Sequence, residues 1–183
     1  MAKWLSASSP RAGARITGIL YLLYFLTAVA DEVLIGHGRL ALYEAADLIA
    51  HAFYVAVTLR FYFLFRPVNR PLSLMAAIVS LAGCANDILD LLNLAPYRIN
   101  SLVFFGPYCL LIGALIVRST FLPRILGVLM ALAGIGWLIL LLPPPIRLTI
   151  YLKILGVVAE ASLMLWLIVK GVDEPRCTEQ ATL

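Results

Sequence analysis

Apolar residues fill most of this chain in long blocks, and short polar joints separate them. Six blocks run over roughly 15–35, 43–65, 71–94, 101–118, 124–142 and 149–170. Each matches the ~20 mainly apolar residues that a helix needs to cross a bilayer. The joints are "GHGR" at 36–39, "RPVNRP" at 66–71, "APYRIN" at 95–100, "RSTFLPR" at 118–124 and "PPPIR" at 143–147. Gly and Pro at these places stop one helix and start the next. The joints are so short that sequential helices must run antiparallel and pack as neighbours. The pattern therefore predicts an all-α polytopic membrane protein. Residues 1–183 form a single transmembrane domain, an antiparallel bundle of six transmembrane helices with a polar tail at 171–183.

Composition strengthens this reading. The chain is 63% hydrophobic and 13% charged, with a mean hydropathy of +0.99. A soluble domain is about 45–50% apolar and about 25% charged. Too little polar residue remains for a separate water-facing domain. The net charge of +4 does not point to nucleic acid, because the Lys and Arg residues stand singly at the ends of apolar blocks. One side of the predicted bundle collects Lys3, Arg11, Arg15, Arg66, Arg70, Arg118, Arg124, Lys170 and Arg176; the other collects Arg39, Arg98, Arg147 and Lys153. The positive-inside rule then puts both termini in the cytoplasm. Arg60 is left inside the second block, near enough its inner end to snorkel. A rival reading takes "ITGILYLLYFLTAVA" as a signal peptide cut after Ala30, leaving five crossings. Its tyrosines and its continuation as "DEVLIG" suit a retained helix better. Cys84, Cys109 and Cys177 are too few and too scattered for a disulfide framework, and the first two read as packing residues.

The acidic residues are unevenly placed. Asp173, Glu174 and Glu179 are in the tail; Asp31, Glu32, Glu44, Asp47, Asp87, Asp90 and Glu160 fall in the outer half or near the midplane of their helices. His51 lies one turn from Asp47 on the same face, since i and i+4 are neighbours. Ionisable groups at such depth cost at least about 2.5 kcal/mol and usually face a bundle interior or a wet cavity. The economical expectation is one outward-facing acidic pocket built from Glu160, Asp87, Asp47, His51 and Asn86. Its rim would hold Asp90, Glu44, Arg98 and Lys153, with Tyr97, Tyr108 and Tyr151 nearby. Blander roles stand beside this one: Asp31, Glu32, Glu44 and Asp90 suit a solvated interface, Asp47 with His51 a structural pair, and Asn86 and Asn93 interhelical glue. Gly127, Ala131, Gly134 and Gly136 predict close helix approach. Pro107 predicts a kink in the fourth helix.

These residues favour binding or movement of a small cation, proton or polar solute. A non-catalytic membrane module acting through a lipid or protein partner is the alternative. An intramembrane metal-dependent hydrolase comes third: the chain has two histidines, and it lacks the nucleophile-elbow, zincin and phosphate-loop motifs. No cofactor is indicated and no residue is assigned as catalytic.

Two long stretches carry a family resemblance. "FFGPYCLLIGALIVRSTFLPRILGVLMALAGIGWLI" from Phe104 to Ile139 and "AEASLMLWLIVKGV" from Ala159 to Val172 resemble the bacterial membrane family called domain of unknown function 4386. "RITGILYLLYFLTA" and "LFRPVNRPLSLMAAIVSLAGC" are similar to it as well. The resemblance implies a six-helix protein of the bacterial inner membrane with a retained first helix. It implies no activity and no catalytic residues. Many members have longer outer connections after the first and third helices than this chain does.

Overall fold

The computed structural model describes residues 9–36, 40–95, 97, 99–142 and 144–182. All regular structure among them is helical. In chain order the helices are α1 (Pro10–Gly36), α2 (Leu40–Phe65), α3 (Arg70–Leu91), α4 (Leu102–Arg118), α5 (Arg124–Ile139), α6 (Ile146–Val169) and α7 (Glu174–Thr182). Residues Pro10–Ala30 of α1, Glu44–Phe65 of α2, and all of α3 and α6 are long and apolar enough to cross a membrane. Helices α4 and α5 are apolar but shorter.

Local chemistry sets the helix ends. The Asn69 side chain accepts from the Leu72 N–H at 2.9 Å and Pro71 fills the first turn, so α3 starts cleanly. It ends at Leu91, three residues earlier than the apolar pattern suggests, because Asn93 takes a left-handed φ of 56°. The Leu94 and Ala95 N–H groups then turn back to the Leu89 carbonyl. Asn93 is thus a helix stop rather than a contact between helices. Prolines at 123 and 145 precede α5 and α6, where a missing N–H costs nothing. Helix α4 continues through Pro107.

The six long helices form a closed ring, each packing on the next in sequence and α6 packing back on α1. Contacts across every seam are antiparallel. Across the α4/α5 seam Gly113 faces Gly127 and Gly106 faces Gly134, so tightly that a Cβ at any of these four would come within 2.8 Å of the opposite helix. At the end of the ring that carries both chain termini, Val57, Phe65, Leu115, Ile116, Leu163 and Leu167 are fully buried and close the bundle. Arg60 lies at the same end. Its Nη2 donates to the Gly13 carbonyl at 2.7 Å and its Nε to the Thr17 hydroxyl at 3.4 Å. It ties α2 to α1, with its head reaching toward the end of the bundle where α1 starts.

The polar tail is also more ordered than its composition suggests. Glu174 and Pro175 open α7, which packs on α1. The Arg11 N–H donates to Glu174 at 3.2 Å, Gln180 accepts from the Thr120 N–H at 3.0 Å, and Cys177 is buried.

Candidate functional site: an acid–histidine cluster over an aromatic cavity

At the end of the ring opposite the chain termini, α2 and α3 bring two carboxylates to one imidazole. Asp47 and His51 share a face of α2. His51 Nδ1 lies 2.9 Å from the Asp47 carbonyl oxygen and 3.3 Å from its carboxylate. The antiparallel pairing of α2 with α3 places Asp87 on the other side of the ring, 3.5 Å from Nε2. Ser101, at the start of α4, donates to Asp87, and Asn86 Nδ2 donates both to Asp87 at 3.0 Å and to the Ile99 carbonyl at 3.0 Å. Asp87 is therefore fixed from three sides. The imidazole stands between the two carboxylates, so they do not converge on one point. Among the described residues no group of three His, Cys, Asp or Glu is placed to hold a metal ion.

Below the cluster is a cavity of about 360 Å³. Its walls include Tyr24, Tyr54, Phe104, Phe105 and Tyr108, with Asp47, His51, Asp87 and Ser101 at its polar end. Gly83 leaves room for Phe104, whose Cβ would lie 3.0 Å from a Cβ placed there. In the wall Thr58 and Ser80 share a buried 2.7 Å hydrogen bond. That bond ties α2 to α3 below the cluster. The Tyr54 hydroxyl is buried without a hydrogen-bond partner, and the buried Tyr108 hydroxyl lies against Thr58.

Glu160 is not in this cavity. It lines a separate cleft of about 350 Å³ with Tyr24, Phe25, Ala28, Val29, Phe105, Trp137 and Val157. It is 5% exposed and accepts from the Tyr21 hydroxyl at 3.0 Å. The expected single pocket is thus two spaces, with Tyr24, Ala28 and Phe105 lining both. The reason is ring order: α6 packs on α5 and α1, so the carboxyl finds its partner on α1 and not on α2 or α3.

The other sequence candidates divide as follows. Asp90 joins Asp47, His51, Asp87 and Ser101 around a smaller opening at the rim. Glu44 is exposed at the start of α2 and Lys153 is exposed on α6. Arg98 lies outside the described residues, as do the side chains of Asp31 and Glu32. Tyr97 and Tyr151 are exposed, whereas Tyr108, expected at the rim, is a buried wall residue. The sequence reading missed Ser101, Thr58, Tyr24, Tyr54 and Phe105. No local motif marks them, since each acquires its role only when a neighbouring helix is in place.

Residues 97–171, which carry α4, α5 and α6, match a known family description. This segment matches the domain of unknown function 4386. The match spans the stretch with the two Gly–Gly contacts and Glu160, and it supports the resemblance already legible in the sequence. A protein of Archaeoglobus fulgidus described as "Uncharacterized protein" is 28% identical over 131 residues, which covers 64% of this chain and 76% of the relative. No solved structure matches the chain. Neither the family description nor the relative's name adds an activity to this chain.

Proposed function

We propose that this protein is a six-span membrane protein that binds a small cation or cationic solute in the cavity beneath Asp47, His51 and Asp87. Both termini lie in the cytoplasm and the polar end of the cavity opens outward. The Lys and Arg distribution along the sequence supports this orientation. The exposed stripe Ile125, Val128, Leu132 and Ile135 supports counting α5 as a crossing, because it turns an apolar face away from the ring. Helix α4, apolar and packed between α3 and α5, is counted as a crossing with it, and the family resemblance supports the inner membrane of a bacterium as the bilayer.

One observation carries the binding reading. Two carboxylates on different helices flank one imidazole at the mouth of an aromatic-walled cavity, where burial makes charge selectivity strong. The plug of Val57, Phe65, Leu115, Ile116, Leu163 and Leu167 below favours capture over free passage. Titration of monovalent cations into the purified full-length protein, followed by calorimetry, tests this. Binding is expected to weaken at least tenfold in Asp87→Asn, which keeps an acceptor for Ser101 but removes the charge. Equal affinity in wild type and Asp87→Asn overturns the reading.

A further inference from the structure

We propose that the end of the ring carrying both chain termini holds a specific site for one anionic phospholipid, its phosphate seated in a basic cavity at the end of α6. This goes beyond the cation site and rests only on the six-span reading, which sets this end of α6 at a bilayer surface. The cavity has a volume of about 330 Å³. Arg11 from the start of α1, Lys170 from the end of α6 and Arg176 from α7 line it, so three helices send cations to one space. Gly171 permits that convergence. It turns the chain with a φ of 68°, and a Cβ there would lie 2.9 Å from Arg11 Cγ. Without a side chain at 171, the Arg11 stem can pass close beneath the end of α6.

The charge is one-sided. Among the described residues Asp173 is the one carboxylate in the lining, and Arg176 Nε lies 3.6 Å from it. Glu174 accepts from the Arg11 amide and offsets part of the Arg11 charge. Lys170 forms no ion pair among the described residues. Glu179, further along α7, has an interaction of its own. Residues 1–8 contain no Asp or Glu, and Lys3 is their one charged side chain, so they add only positive charge. Free carbonyls at a helix C-terminus repel anions. Here the Val169 carbonyl accepts from Arg15 Nη2 at 3.2 Å, which adds a fourth cation, and the Trp166 carbonyl accepts from the Lys170 and Gly171 N–H groups.

The surroundings favour a lipid over a free anion. Trp166, Phe121 and Leu122 line the same cavity as the cations. Beside it, Leu165 and Val169 of α6 and Ile125 of α5 are each more than half exposed, so apolar surface continues from the cavity along the outside of the ring. A phosphate carrying acyl chains matches this pairing of cations with apolar surface. Arg and Lys are the donors suited to phosphate oxygens, and basic pockets between spanning helices bind lipid headgroups. A Trp at the end of a spanning helix sits at headgroup level. The general excess of Lys and Arg at this end attracts anionic lipid without any site. The test therefore compares two places at the same end.

Phosphatidylglycerol, phosphatidylcholine and inorganic phosphate are titrated into the full-length protein in detergent micelles, and bound molecules are counted by native mass spectrometry. One phosphatidylglycerol per chain is expected to bind about tenfold tighter than phosphatidylcholine. Arg11→Gln with Lys170→Gln should weaken it by about fivefold or more. Arg66→Gln with Arg70→Gln removes equal charge from the joint between α2 and α3 at the same end, and should change it by less than about twofold. Asp173→Asn keeps every cation and should tighten binding, which keeps the site testable if the first double variant fails to fold. Equal binding of the two lipids overturns the inference, as does an equal loss in the two double variants or an unchanged affinity in Asp173→Asn. Displacement of phosphatidylglycerol by an equal concentration of inorganic phosphate also overturns it and marks a site for the free ion. Absence of Asp87-dependent cation binding would leave this inference standing.

Discussion

Gly127→Ala adds a single methyl group to the α4/α5 seam, and the structure fixes what it would meet. The new Cβ lies 2.7 Å from the Gly113 carbonyl oxygen, 2.7 Å from Val117 Cγ2 and 2.8 Å from the Val117 amide nitrogen. The carbon contact with Val117 Cγ2 is roughly 0.8 Å or more short of the ~3.5–4.0 Å optimum, and the other two are also closer than Cβ atoms approach backbone. Two of the three neighbours are backbone, so the helices must separate. Overpacking of this kind costs typically ~1–3 kcal/mol. It is offset in part by the roughly 1 kcal/mol that Ala gains over Gly within a helix. Gly136→Ala supplies the control on the same helix. Its nearest neighbour would be Leu152 Cδ2 at 3.3 Å, the end of a flexible side chain. Both variants share the propensity gain, so their difference isolates the clash. Gly127→Ala is expected to be less stable than Gly136→Ala by about 1–3 kcal/mol, measured by reversible unfolding in mixed micelles. Equal stability of the two would refute the claim that backbone contact at Gly113 and Gly127 sets the spacing of α4 and α5.

Three further outcomes are expected. Thr58→Val should cost ~1–3 kcal/mol by stranding the buried Ser80 hydroxyl, and Thr58→Val with Ser80→Ala should recover much of it; a double variant as weak as the sum of the single ones would argue against the hydrogen bond. Tyr21→Phe strips Glu160 of its donor and should cost ~1.5–3 kcal/mol, less when Glu160→Gln is also present; a vanishing coupling in this double-mutant cycle would deny the α1/α6 link. At the chain terminus, the Ser9 hydroxyl and the Arg11 N–H hold the Glu174 carboxyl below its usual value of 4.5. A depressed folded-state value contributes stability above the unfolded value and loses it as pH falls through the folded one, so α7 should loosen below about pH 4.5. Modification of buried Cys177 by an acid-tolerant dipyridyl disulfide should therefore accelerate on acidification in wild type and change less in Glu174→Gln. Identical acid sensitivity in both would assign the loosening to another group.

The sequence showed the helices and half of the site, and the division has a physical basis. The six apolar helices and their approximate ends follow from runs of apolar residues and from the prolines at the joints. The Asp47–His51 pair is a one-turn spacing within one helix, and Asp87 reaches it because consecutive helices with a short joint must pair at matched depth. Glu160 went astray because its depth is legible but its neighbour is not. Residue counting places α6 at the right height without saying that the ring closes α6 onto α1, where Tyr21 waits. Ser101, Tyr54 and Tyr108 were missed or misplaced for the same reason. The tail helix was overlooked because its composition is polar, and only Glu174 followed by Pro175 hinted at a helix start.

Ring closure has a consequence for synthesis. Tyr21 and Glu160 stand 139 residues apart, so α1 gains its second neighbour in the ring only when α6 has been made. Until then α1 rests on α2 alone, and the space that α6 will occupy is open to lipid or to an insertion chaperone. A chain stalled before α6 would hold five helices in an open arc, with the Tyr21 hydroxyl facing hydrocarbon. The Tyr21–Glu160 bond forms only when α6 closes that arc.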